Sequence, residues 1–278
     1  MRIAQISDLH YRRAGTRLFG AVDAHQGAVR AVAWLNAFRP SIDAVIITGD
    51  LVNDGGSQDY AALKAVLDQL AMPYRVLPGN HDTRALVVET FGTTETFGAI
   101  GSALAGQKYV WDWDLGPVRI VGLDTLVEGE HHGEVGAAQL DWLDGVLGTG
   151  TKPTLVALHH PPFATGIGFM DGIAMADRDA LAAVIARHGH VSAILCGHVH
   201  RTIQTRFAGT LAMIAPGTAH QVALDLHDAA PPRWTFEPPG ALLHLWTGDS
   251  FIHHMTLFDF PGSESPFSDH HTVAPPQS

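Results

Sequence analysis

Asp43-Ala44-Val45-Ile46-Ile47-Thr48-Gly49-Asp50 is an apolar, β-branched run that stops on a glycine and a carboxylate. It reads as a buried strand that delivers the carboxylate at its C-terminal end. The same arrangement recurs in both directions along the chain. Upstream, Arg2 to Ser7 runs into Asp8-Leu9-His10. Downstream, Arg75-Val76-Leu77 leads into Gly79-Asn80-His81-Asp82, and Thr154 to Leu158 into His159-His160-Pro161-Pro162. Ser192 to Cys196 then leads into Gly197-His198-Val199-His200. Carboxylate, amide and imidazole donors without thiolate suit hard-to-borderline metal ions. Five such segments at one edge of a sheet can hold two ions, an arrangement suited to hydrolysis of phosphorus esters.

The intervening segments read as helices and further strands. Val22 to Phe38 has helical apolar spacing and ends before Pro40. Tyr60, Leu63, Val66, Leu67 and Leu70 recur at helical spacing, with Ser57 as the expected N-cap. Helices are also expected over Ala137 to Leu147 and Asp177 to His188. Tyr109 to Asp114 and Val118 to Asp124 flank Gly116-Pro117 and predict an antiparallel pair. Beyond His200 the pattern is β-like at Thr202 to Phe207, Leu211 to Ala215, Leu242 to Trp246 and Phe251 to Phe258, with an irregular excursion over Asp228 to Gly240. Alternation of strand, donor and helix predicts a layered α/β sandwich with its ligands at strand ends. Residues 1–215 are expected to form the core and 216–240 a cap or excursion near the site or at an oligomer interface. Residues 241–260 then supply strands returning to the core, and 261–278 a loosely held tail.

Composition narrows the function. The 278 residues are 46% apolar, enough for one large α/β domain. The 28 acidic and 17 basic residues give a formal charge of -11, with no Lys/Arg cluster, which argues against a nucleic-acid polymer as partner. A single cysteine, Cys196, excludes an intramolecular disulfide and reads as a buried strand residue. No apolar run reaches membrane-spanning length, and Asp8 comes too early for a signal peptide to precede it. A cytoplasmic protein with no membrane association is expected.

Asp8-x-His10, Gly49-Asp50, Gly79-Asn80-His81-Asp82, His159 and Gly197-His198-x-His200, taken in that order, resemble the signature of the calcineurin-like metallophosphoesterases. The His-His-Pro-Pro form of the fourth segment and Pro216-Gly217-Thr218-Ala219-His220-Gln221 are similar to the branch holding class III cyclic nucleotide phosphodiesterases and glycerophosphodiesterases. The resemblance implies a four-layer α/β/β/α sandwich with a small C-terminal cap or excursion. It also implies two divalent or trivalent ions, with iron, manganese and zinc all suiting the donors. One ion would take Asp8, His10, Asp50 and His200, and the other Asp50, Asn80, His159 and His198, with Asp50 as the bridge. His81 would protonate the leaving oxygen or stabilise the transition state, oriented by Asp82. Asn80, His81 and His220 would face substrate, and His160 would stand behind the ligands.

The expected reaction is in-line attack on a small phosphodiester by metal-activated water or hydroxide, with 3′,5′-cyclic nucleotides such as cyclic AMP ahead of glycerophosphodiesters. A phosphomonoesterase, a nuclease and a non-catalytic metal-binding scaffold are the alternatives. Acidic charge argues against the nuclease, and the lack of an arginine cluster against the monoesterase. The complete donor set argues against the scaffold. His131-His132, His253-His254 and His270-His271 read as solvated or structural, and Asp124 as a loop-fixing carboxylate. Tyr11 and Arg12 either contact substrate or belong to a solvated loop. Trp234 and Phe236, between Pro231 and Pro239, either fold back on the core or form an exposed patch suited to a homo-oligomer.

Overall fold

The computed structural model describes residues 1–92, 108–227 and 229–258. In the first of two sheets, β1 (Arg2–Ile6), β2 (Ala44–Thr48) and β3 (Tyr74–Leu77) run parallel. The antiparallel strands β12 (Gly240–Trp246) and β13 (Phe251–Leu257) extend it beside β1, giving the order β13-β12-β1-β2-β3. The second sheet contains β4 (Trp111–Asp114), β5 (Arg119–Gly122), β6 (Thr154–Ala157), β7 (Val191–Cys196), β8 (Ile203–Phe207) and β9 (Thr210–Ile214). Its order is β4-β5-β6-β7-β9-β8, with β5, β6 and β7 parallel and β4 antiparallel to β5. A short antiparallel pair, β10 (Gln221–Val222) and β11 (Trp234–Thr235), stands apart.

Period-two burial explains the layering. On β6 and β7, Leu155, Ala157, Ala193 and Leu195 belong to the same buried cluster as the first sheet. Their neighbours Val156, Ile194 and Cys196 turn the other way. There they meet α4 (Ala137–Leu147) and α6 (Arg178–Ile185) through Leu140, Leu143, Leu181 and Val184. The first sheet is covered by α1 (Ala24–Ala37), α2 (Ser57–Leu67) and α3 (Arg84–Phe91), through residues such as Val32, Leu35, Leu63 and Val87. The result is the four-layer α/β/β/α sandwich. Each fully buried Leu, Ile or Val contributes about 1.5–3 kcal/mol, so the strands that carry the donors are held chiefly by apolar burial. Polar ties also cross between the sheets. Gln5 Nε2 donates to Thr48 Oγ1 at 3.0 Å and to the Cys196 carbonyl at 2.8 Å.

The strands form within a residue or two of their expected spans, and Cys196 is fully buried. Three features differ. The N-cap of α2 is Gly56 rather than Ser57, because the Asp59 carboxylate accepts from the Gly56 amide at 3.1 Å and starts the helix one residue beyond it. Helix α3 and the one-turn α5 (Gly168–Asp171) were not expected, since neither carries a sustained apolar stripe. Within the excursion, Trp234 and Thr235 pair with Val222 and Gln221 instead of remaining irregular. The expected tail, 261–278 with His270 and His271, lies outside the described residues. Among the described residues, no helix is long and apolar enough to cross a membrane.

Candidate metal centre

Each donor sits in the turn that follows a parallel strand. β1 leads to Asp8 and His10, β2 to Asp50, β3 to Asn80, β6 to His159, and β7 to His198 and His200. These turns bond to one another: the His10 amide donates to the Asp50 carbonyl at 2.8 Å and the His198 amide to Asp8 Oδ1 at 2.9 Å. Gly49 holds φ at 96°, and a Cβ there would overlap the His159 ring; one at Gly197 would overlap the Ser7 hydroxyl. Glycine lets the strand ends close around the donors. Five donor residues, Asp8, His10, Asp50, His198 and His200, hold φ between 42° and 72°. That left-handed region costs a non-glycine residue about 1–2 kcal/mol, and such strain gathers at functional sites.

The acceptor on Nδ1 assigns the tautomer of three of the four imidazoles, whereas His198 turns Nδ1 itself inward, toward Asn80. His10 Nδ1–H donates to Asn53 Oδ1 at 3.0 Å, His159 Nδ1–H to the Thr48 carbonyl at 2.7 Å, and His200 Nδ1–H to the His220 carbonyl at 3.3 Å. The Nε2 atoms are then bare lone pairs. Yet His10 Nε2 faces His200 Nε2 at 2.9 Å. Asp50 Oδ2 lies 3.4 Å from Nε2 of both His10 and His159, and His200 Nε2 lies 3.4 Å from Asp8 Oδ1. Asn80 Oδ1 is 3.2 Å from His159 Nε2 and 2.9 Å from His198 Nδ1. Buried acceptors facing acceptors repel one another unless a cation lies among them. Donors that share one ion at about 2.0–2.2 Å stand about 3–3.5 Å apart, and the spacings here are 2.9–3.4 Å.

The donors therefore fit two metal ions. Asp8, His10, Asp50 and His200 converge in one group. His159 and His198 converge with Asn80 in the other. Asp50 Oδ2 stands between the groups, equidistant from His10 and His159.

Burial and the neighbouring charges set the protonation of the donors. Burial pushes the Asp8 carboxyl up to about 7, with Asp50 adding to the rise and His159 opposing it. Burial works in the same direction on Asp50, but the imidazoles of His159, His81 and His10 hold it well below the usual carboxylate range. Burial lowers His10 and His198 to about 3, leaving them in the neutral, metal-binding form. His159 is the exception: burial presses it down, yet Asp50 and Asp8 lift it to about 9, so this ring gives up a proton when it takes an ion.

The remaining expected residues fall out as follows. His81 is partly exposed on the cavity wall, with its ring 4.7 Å from His10 and its Nδ1 3.7 Å from Asp54 Oδ1. Asp82 does not orient it. Its oxygens accept from the Leu51, Val52 and Gly79 amides and from the Tyr60 hydroxyl at 2.8–3.1 Å, which fully occupies the carboxylate and fixes the turns carrying Asp50 and Asn80. His160 lies among His159 and His198. Its nitrogens are taken by Thr125 Oγ1 at 2.8 Å and the His131 carbonyl at 3.1 Å, so it buttresses the His198 ring 4.5 Å away. His220 lines the cavity, its buried Nδ1 without a hydrogen-bond partner, and burial lowers it to about 4. Asp124 is buried and fixes a loop, accepting from the Tyr109 and Leu126 amides at 2.8 Å and pairing with Arg84. Tyr11 bonds His25, Arg12 pairs with Asp54, and neither lines the cavity.

The cavity over the donors measures about 290 Å³. Its wall also includes residues that the sequence does not mark as a site, among them Asn53, Phe19 and Trp234. Asn53, the partner of His10, carried no signal in the sequence. Phe19 and Trp234 belong to distant segments that meet only in the fold. His131, expected to be solvated or structural, is exposed and also part of the wall.

Known proteins place this architecture. The chain is 32% identical over 253 residues to the glycerophosphodiester phosphodiesterase GpdQ of Enterobacter lignolyticus, covering 91% of this chain and 89% of that one. It is 34% identical over 278 residues to a protein of Rhodopseudomonas palustris described as "Probable cyclic nucleotide phosphodiesterase RPA0124", covering 99% and 98%. A dimetal phosphatase from Danio rerio shares the fold at a TM-score of 0.65 and 15% identity, over 93% of this chain and 99% of that one. The profile of the family described as calcineurin-like phosphoesterase matches residues 1–202, and the chain belongs to that family.

Proposed function

We propose that this chain is a binuclear-metal phosphodiesterase acting on small phosphodiesters. The observation that carries the reading is the Asp50 carboxylate shared by two groups of inward-facing lone pairs on the floor of the cavity. Two bound ions would supply the nucleophile, by lowering the pKa of a water, and would neutralise charge on the phosphoryl oxygens.

The chain's own residues do the rest. Asp8, His10, Asp50, Asn80, His159, His198 and His200 hold the ions. Their Nδ1 acceptors and the Asp82 carboxylate keep them in place, as outer partners do in metal sites. His81 stands beside Asn80, and its Nδ1 is turned toward Asp54. Nε2 is left to protonate the leaving oxygen as the P–O ester bond breaks. His220 and the Asn80 amide border the space in which the phosphoryl group lies.

A diester is favoured over a monoester by charge. Arg233 is the one Arg or Lys lining the cavity among the described residues, and it is ion-paired with Asp225 at 2.6 Å. No free guanidinium is left to grip a dianionic phosphate in bidentate fashion. The relatives named for cyclic nucleotides and for glycerophosphodiesters support a small diester rather than a nucleic-acid polymer, as does the charge of -11. The exposed Phe236, Leu224 and Leu226 support a homo-oligomer.

The test is turnover by metal-reconstituted protein of cyclic AMP, glycerophosphoethanolamine, bis(p-nitrophenyl) phosphate and matched monoesters. Diester turnover is expected. Turnover confined to monoesters would overturn the reading.

A further inference from the structure

One wall of the cavity is aromatic. Phe19 and Trp234 stack with ring centroids 5.5 Å apart and planes 17° from parallel, and Trp234 meets Phe236 edge-on at 4.9 Å. His220 joins this wall to the donors: its ring is 5.7 Å from Phe19 and 4.7 Å from His200.

Phe19 is out of place on grounds of stability alone. It is 63% exposed, and its backbone holds φ at 53° in a tight turn where the Ala21 and Val22 amides both donate to the Leu18 carbonyl at 2.9 Å. A bulky residue in the left-handed region is strained, and an exposed ring gains little burial in return. Glycine or asparagine would serve the turn better. What the ring does supply is a flat apolar surface facing the cavity. Arg233 on the same wall is held by Asp225, so the wall offers contact area more than charge.

We propose that Phe19 and Trp234 form a stacking platform for a flat, π-bearing group on the diester, and that they set a preference for nucleoside or aryl esters over glycerol esters. This rests on the phosphodiesterase reading above. With the phosphoryl group at the donors, the ester substituent crosses His220 and lies on the stack, where ring–ring contact adds to apolar burial.

The test compares kcat/KM of the metal-reconstituted wild type, Phe19→Leu and Trp234→Leu on cyclic AMP, bis(p-nitrophenyl) phosphate and glycerophosphoethanolamine. The ratio of ring-bearing to glycerol ester is expected to fall about tenfold in each variant, the size expected from losing one stacked ring, and to do so through KM. Loss on both ring-bearing esters means that any flat group is read; loss on one identifies which. A ratio within about twofold of wild type in both variants, too small for a lost stack, overturns the platform while leaving the phosphodiesterase reading intact. Absence of all diester turnover in the wild type overturns both. Phe19→Gly adds an independent readout: it should raise the melting temperature by relieving the strained φ while lowering the same ratio. A glycine variant that keeps the wild-type ratio also overturns the platform.

Discussion

Among the described residues, two pairs of imidazoles approach within hydrogen-bonding distance. His10 Nε2 and His200 Nε2 are 2.9 Å apart at the strand ends, and His244 Nδ1 and His253 Nδ1 are 2.7 Å apart where β12 and β13 face each other directly. The first pair gives its Nδ1 protons away to Asn53 and the His220 carbonyl, and Asp8 and Asp50 stand beside it. The second pair has no carboxylate partner among the described residues. Burial, with His253 alongside, keeps His244 well below its ordinary value, so one neutral ring donates and the other accepts. Two close histidines are therefore not in themselves a metal site. Protons held outward and carboxylates alongside make the difference.

That contrast can be broken from either end. Asp50→Asn makes the centre more like the β12–β13 pair and should have the largest effect. Losing the shared carboxylate removes several kcal/mol of charge stabilisation, a fall of roughly a thousandfold or more in kcat/KM, with fewer than two ions retained per chain by metal analysis. An active variant that still holds two ions would remove Asp50 from the bridge. His81→Ala should lower kcat by roughly a hundredfold to ten-thousandfold at unchanged metal content, the cost of losing a general acid. Metal loss in that variant would instead make His81 part of the ion-holding set.

Asp82→Ala comes next. Its amide bonds fix the turns of Asp50 and Asn80, and loss of such an outer partner weakens metal affinity roughly 10–100-fold, measurable by competition with a chelator. Affinity equal to wild type would show that the turns hold without it.

The smallest effect belongs to the other pair. His244 is depressed in the folded chain, so below its unfolded value near pH 6.5 the unfolded chain takes up a proton that the native chain refuses. Stability from this group is complete above that value and is lost as pH falls, by about 1.4 kcal/mol per pH unit. Urea melts of metal-loaded protein at pH 5–7 should show a shallower pH slope for His244→Leu than for wild type. Equal slopes would contradict burial of a neutral ring.

The same contrast explains what the sequence could disclose. The seven proposed donors stand out in the sequence because each follows a short, largely apolar run that reads as a buried strand, and because their order resembles a known signature. The second imidazole of the β12–β13 pair was not legible in that role. His253 reads as solvated or structural and is structural, but its partner depends on strand register, which no local pattern encodes. Asp82 is next to the His81 ring in sequence, which suggests that pairing, whereas its lone pairs reach the backbone of another loop. Asn53 and the Phe19–Trp234 stack failed for the same reason: their partners are set by packing. Helix α3 buries one residue, Val87, and β10 and β11 have two residues each, too little for a period to show.

The left-handed backbone at Asp8, His10, Asp50, His198 and His200 bears on how such a chain can change over generations. Glycine or asparagine at any of these positions would relax the turn and, in the same step, remove or weaken a donor. Drift toward a sturdier fold and decay of the metal centre are thus one path, not two. A descendant freed from its chemistry should gain stability at just these five positions. The fold alone would favour other residues at these positions.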